Sequence, residues 1–116
     1  MTEKTTNQLK LVIHVDEMDR WTEVASNLQN LLKDYQDAQV RVVANGTGVY
    51  AFIGASELRD KLAEQARAGV KFQVCANSMR RHGLDPATLP DFTQLVPAGI
   101  VALIQNQQEG FAYVKP

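Results

Sequence analysis

The sequence predicts one α/β domain, a three-layer α/β/α sandwich on a mostly parallel five-stranded sheet. Two observations carry that expectation. Five short apolar runs read as strands, and helices or helical turns separate each from the next. Such alternation implies βαβ crossovers, which make neighbouring strands parallel and cover both faces of the sheet. The pattern leaves the strand order open.

The first strand is Leu9 to Val15, β-branched and apolar, and it runs into the polar loop Asp16-Glu17-Met18-Asp19, where Asp19 is the expected helix cap. From Arg20 to Tyr35, Trp21, Val24, Ala25, Leu28, Leu31, Leu32 and Tyr35 recur at helical spacing, the clearest helix in the chain. Val40 to Ala44 is the second strand, stopped by Asn45-Gly46-Thr47-Gly48, where glycine permits backbone angles that other residues resist. Val49 to Ala55 fits either an extended strand or an apolar helical turn leaning on the sheet; the turn is the expectation. Ser56 caps the helix Glu57 to Ala68, and Gly69 stops it.

Phe72 to Cys75 is the third strand, followed by a short helix from Asn77 to His82 that closes at Gly83. Leu84 to Pro90 is a turn-rich connector, Thr93 to Val96 the fourth strand, and Pro97-Ala98-Gly99 opens a helix ending at Gly110. Phe111 to Val114 is the fifth strand.

Composition narrows the functional classes. With 116 residues, 45% of them hydrophobic and 22% charged, the chain holds enough apolar side chains for one real core. The expected division is a polar tail over 1–8 and a single domain over 9–116. Twelve basic against thirteen acidic side chains leave a net charge of −1, with no basic run, so nucleic acid is not the expected partner. Met1 to Gln8 has the character of neither a signal nor a transit peptide, and no apolar stretch approaches the roughly 20 residues that span a bilayer. A cytoplasmic location is expected. The lone cysteine, Cys75, has no internal disulfide partner, in keeping with a reducing compartment.

Cys75 is the candidate catalytic residue, because it falls at a strand-to-helix turn, where α/β sheets bind ligands and unpaired helix amides favour a thiolate. Arg80 and Arg81 stand close enough in sequence to raise the local positive potential. The alternative is a buried, inert thiol, since free cysteine is among the most buried residue types. His14 is either a proton shuttle near Cys75 or, by preference, a core imidazole bonded to a backbone carbonyl. Asp16 and Glu17 fall on the same rim, where helix capping or solvation is the expected role. Asn45, Gly46 and Gly48 are either a plain turn or an amide-rich nest for an anion. The expected pocket lining is thus His14, Asp16, Asn45, Gly46, Asn77 and Arg80. His82 is expected to be a solvated helix end. His14, Cys75 and His82 lack metal-ligand spacing, so neither a metal nor another cofactor is expected. Tyr50, Phe52 and Ile53 either meet another subunit or cap the sheet edge within one.

Four segments together resemble the DsrE/DsrF-like family: Lys10 to Glu17, Val43 to Gly48, the stretch around Cys75, and Val96 to Ile104 with Glu109 to Pro116. That family includes the YchN-like proteins and the TusD-like sulfur-relay subunits. The resemblance implies a compact α/β domain assembled as a trimer or hexamer. It also implies that Cys75 accepts sulfane sulfur as a persulfide from a donor protein and passes it to an acceptor. With no second cysteine to resolve a persulfide, transfer must go to a partner's thiol or a small acceptor. The other reading is a non-catalytic oligomeric binding module with a structural cysteine.

Overall fold

A computed structural model describes residues 8–116; the polar tail expected over 1–8 lies, apart from Gln8, outside the described residues. Five strands form one sheet: β1 (Lys10–Val15), β2 (Gln39–Ala44), β3 (Lys71–Cys75), β4 (Thr93–Val96) and β5 (Ala112–Val114). Their order is β4-β3-β2-β1-β5, and every pairing is parallel, where the sequence predicted a mostly parallel sheet. The helices are α1 (Trp21–Asp34), α2 (Glu57–Arg67), α3 (Ala76–Arg81) and α4 (Gly99–Gln108).

Side-chain alternation sorts each strand between two unequal faces. Ile13, Val15, Val40, Val42, Ala44, Phe72 and Val74 point toward α1 and α2, into the main core. At its centre the indole of Trp21 meets the Phe52 ring edge-on at 5.5 Å, and Phe52 meets Phe72 at 5.7 Å. Edge-to-face aromatic pairs of this kind contribute about 1 kcal/mol each beyond their buried area. The Trp21 Nε1–H, which burial would otherwise leave unpaired, donates to the Gly48 carbonyl at 2.8 Å. Intervening residues face α4, where Val12, Val43 and Val96 pack with Ala102, Leu103 and Phe111 in a smaller cluster.

Connections follow from local chemistry. The segment Gly46–Phe52 is a 3-10 helical turn, as expected for the apolar run there, and it carries Phe52 into the main core instead of toward another subunit. Ile53 packs against the same core, and exposed Tyr50 sets its ring against His82. Ser56 caps α2 by accepting from the Arg59 amide at 2.9 Å. Asp19, in contrast, caps nothing: the chain enters α1 through a 3-10 turn, Met18–Arg20, which contains Asp19, and α1 has no side-chain cap. Among the described residues no helix is long and apolar enough to cross a membrane.

Candidate active site

The carboxyl ends of β1, β2 and β3 meet the start of α4, and Cys75 sits at that junction. It is the last residue of β3 and the cap of α3, with its Sγ accepting from the Ser78 amide at 3.4 Å. Burial alone would push the thiol up. The Ser78 hydroxyl and amide, joined by the amides of Gly99 and Asn77, outweigh it and hold the thiol below its ordinary value. Two helix starts therefore converge on one sulfur, α3 through Asn77 and Ser78 and α4 through Gly99. The arrangement favours the ionised form of the sulfur, the form that acts as a nucleophile. The side chain is also enclosed, with the residue only 4% exposed.

Ser78 links the glycine turn to the thiol. The Gly46 amide donates to Ser78 Oγ at 2.8 Å, which leaves the hydroxyl proton for the sulfur. Gly46 is held at φ +53°, and a side chain there would stand 2.4 Å from the Asp16 carbonyl oxygen. The anion-nest reading is thereby corrected for Gly46: its N–H is already engaged by Ser78, and the turn orients Ser78 toward the sulfur.

A second hydrogen-bonded chain runs along the rim. His14 Nδ1 is 2.7 Å from the Tyr113 hydroxyl, and its Nε2 is 2.9 Å from Asn45 Oδ1. The core reading of His14 needs correcting: it bonds to no backbone carbonyl but bridges β5 to the end of β2, with no direct hydrogen bond to Cys75. Asn45 stands next to the cysteine. A carbon placed on Gly99 would lie 3.3 Å from Asn45 Nδ2 and 3.4 Å from Cys75 Cβ, so the absence of a side chain here is what lets the start of α4 pack this closely against both.

The remaining expected residues divide. Asp16 pairs with Lys115 at 3.2 Å, fixing the C-terminal segment to the rim instead of capping α1. Arg80 and Asn77 do share the neighbourhood of Cys75. Their side chains bond to each other, and with Ala76, Leu95, Val96 and Pro97 they line an open cleft of about 350 Å³. His82 ends α3, half-buried, with its ring edge-on to Tyr50 at 5.3 Å. No cluster of three or more His, Cys, Asp or Glu groups suited to a metal occurs among the described residues.

Sequence reasoning missed Tyr113, the donor role of Ser78, and Gly99. Tyr113 was out of reach because only the order β2-β1-β5 brings β5 beside His14. Gly99 did leave a trace, since glycine opening an apolar helix is a poor helix former and signals a need for space.

Comparison with known proteins agrees with this architecture. The structure of a protein of unknown function, MTH1491 from Methanobacterium thermoautotrophicum, superposes with a TM-score of 0.86 at 32% identity, covering 94% of this chain and 100% of that one. The ychN protein from E. coli matches with a TM-score of 0.76 at 13% identity, over 94% of this chain and 100% of that one. A conserved protein of unknown function, BT1422 from Bacteroides thetaiotaomicron, gives 0.71 at 14% identity, covering 92% and 94%. At such low identity the last two speak for the fold alone. Among curated proteins none matches. The model of the DsrE/DsrF-like family matches residues 22–116, which takes in all of the chain from early in α1 onward and leaves β1 outside the match. The chain belongs to the DsrE/DsrF-like family.

Proposed function

We propose that this protein is a persulfide carrier in which Cys75 accepts sulfane sulfur and passes it on. The observation that carries the reading is the sulfur at the meeting of two helix starts, with its thiol held below the ordinary value by Ser78, Gly99 and Asn77. In loading, the Cys75 thiolate attacks the outer sulfur of a donor persulfide. A new S–S bond forms at Sγ, the donor's S–S bond breaks, and its electron pair leaves on the donor thiolate. In delivery an acceptor thiolate attacks the outer sulfur, and Cys75 departs as the thiolate that its surroundings favour. Neither step needs an oxidant, and a reducing compartment such as the cytoplasm suits both.

The exposed apolar residues beside the site support assembly of several copies. Ile100, Val101 and Ile104 stand out from α4, a helix without a single charged residue. The enclosure of Cys75 favours one competing reading, an oligomeric binding module with an inert cysteine.

Incubation of the reduced protein with a cysteine desulfurase and cysteine, followed by intact mass, separates the two. The carrier gains the mass of one sulfur atom, and Cys75→Ser gains none while staying folded. Equal loading of the variant, or no loading of a native protein whose thiol also resists alkylation, would sink the carrier reading.

A further inference from the structure

We propose that the cleft between α4 and the outer strand β4 binds a small organic anion, whose phosphate or carboxylate group is held by Lys71 and Gln94. The site is separate from Cys75 and stands whether or not the cysteine carries sulfur.

Three observations lead to it. The first is room. α4 packs across β1, β2, β3 and β5 and leaves most of β4 uncovered, so a cleft of about 350 Å³ opens over β3 and β4. Small-molecule sites begin at about that volume. The second is the direction of its hydrogen bonds. A guanidinium can only donate, so Arg41 Nη1, 2.7 Å from Asn106 Oδ1, fixes the orientation of that amide, whose residue is only 2% exposed. Asn106 Nδ2 must then donate to Gln73 Oε1 at 2.9 Å, and Gln73 Nε2 faces Gln94 Oε1 at 3.5 Å. Each amide in this row gives its oxygen to a neighbour, and the row ends on the N–H groups of Gln94, which have no partner among the described residues. The third is charge. Lys71 stands beside Arg41 in the pairing of β2 with β3, and both line the cleft together with Glu109. Arg41 pairs with Glu109 at 3.0 Å, and its guanidinium lies 4.1 Å from the centre of the Phe111 ring, which holds it in place. Among the described residues no carboxylate pairs with Lys71, so its ammonium is the surplus charge of the cleft. A free ammonium beside amide donors suits an oxyanion, whose oxygens only accept, and Val96 and Ala102 offer an apolar wall to the rest of the molecule.

NMR titration of the native protein with inorganic phosphate and, separately, with malonate tests the proposal and tells the two head groups apart, provided ionic strength is held constant. Saturable shifts confined to the cleft, with the side-chain amide of Gln94 among them, are expected for at least one of the two, and the tighter names the head group. Lys71→Gln is expected to raise the dissociation constant about tenfold, the size of one charge-assisted hydrogen bond, and Gln94→Ala about threefold, the size of a neutral one, with thermal unfolding unmoved in both. Lys71→Arg should keep most of the affinity. Lys61→Gln, on α2 across the sheet, makes the same change in net charge and should leave the constant where it was. Shifts that grow with both anions and never saturate overturn the proposal, as does a saturable site whose shifts lie away from the cleft. So does equal weakening by Lys61→Gln and Lys71→Gln, which would mark general attraction to a less negative surface.

Discussion

The two faces of the sheet are built for different ends. Against α1 and α2 lies a dense apolar core with Trp21, Phe52 and Phe72 fully buried at its centre. Against α4 lies a thinner layer in which Val12 and Val43 share their face with Arg41, Gln73, His14 and Cys75. One face holds the chain together with side chains that have no chemistry to offer. The other tolerates polar groups because each finds a partner, and the candidate site grows from that tolerance.

Damage to the first face should therefore be global. Trp21→Ala removes the indole from the aromatic cluster and leaves the Gly48 carbonyl without its donor. A loss of about 3–5 kcal/mol is expected, enough to unfold much of the population, and denaturant titration would read it. A loss below about 1 kcal/mol would mean that the core tolerates a large cavity, and the contrast between the faces would fail.

On the α4 face the largest structural effect should come from Asn106, only 2% exposed, which accepts from Arg41 at 2.7 Å and donates to Gln73 at 2.9 Å. Asn106→Leu leaves part of Arg41 and Gln73 without partners, at a cost of about 1–3 kcal/mol. Because this network lies apart from Cys75, the pH dependence of alkylation should stay where it was. If the profile moved as well, the face would behave as one connected unit.

Ser78→Ala sharpens the comparison from the side of the site. It removes a hydroxyl that accepts from Gly46 and donates to Cys75, for about 1 kcal/mol of stability. The thiol, deprived of a donor to its ionised form, should rise toward its ordinary value, so alkylation of the variant should reach half its maximum at a higher pH than in the native protein. A profile that moved to lower pH would show that the hydroxyl opposes the thiolate.

How much of this was legible in the sequence follows the same division. The main core is written in periodicity: Trp21, Val24, Ala25 and Leu28 recur at helical spacing, and Val40 and Val42 alternate in a strand. Cys75 at a strand-to-helix turn was legible too, because a turn is local. The partnerships of the site are not local. His14 meets Asn45 across 31 residues and Tyr113 across 99, and those meetings depend on a strand order that periodicity does not encode. Asp19 misled for a related reason, since a good cap residue is of no use inside a 3-10 turn that starts the helix by another route.

The smallest expected effect on folding tests why the α4 face is thin. Ile100 is 67% exposed, and Val101 and Ile104 stand out beside it on a helix with no charged residue, so nothing among the described residues accounts for their apolar character. A pair of substitutions, Ile100→Glu and Ile104→Glu, removes no buried contact of comparable size, and within one subunit each should change stability by no more than about 0.5 kcal/mol. If copies of the chain assemble through this helix, the same pair sets charges into an apolar contact and should convert a trimer or hexamer to monomer by light scattering. Because Gly99 borders Cys75 at the start of α4, assembly through this helix would place a second subunit at the mouth of the site. Sulfur loading of the dissociated variant, compared with wild type at equal concentration, then shows whether that neighbour matters. Unchanged loading assigns the thiol's environment to one subunit, whereas a loss with the alkylation profile intact assigns the docking of the sulfur donor to the assembled surface. A wild-type protein that is already monomeric would leave the exposed apolar residues to a partner of another kind.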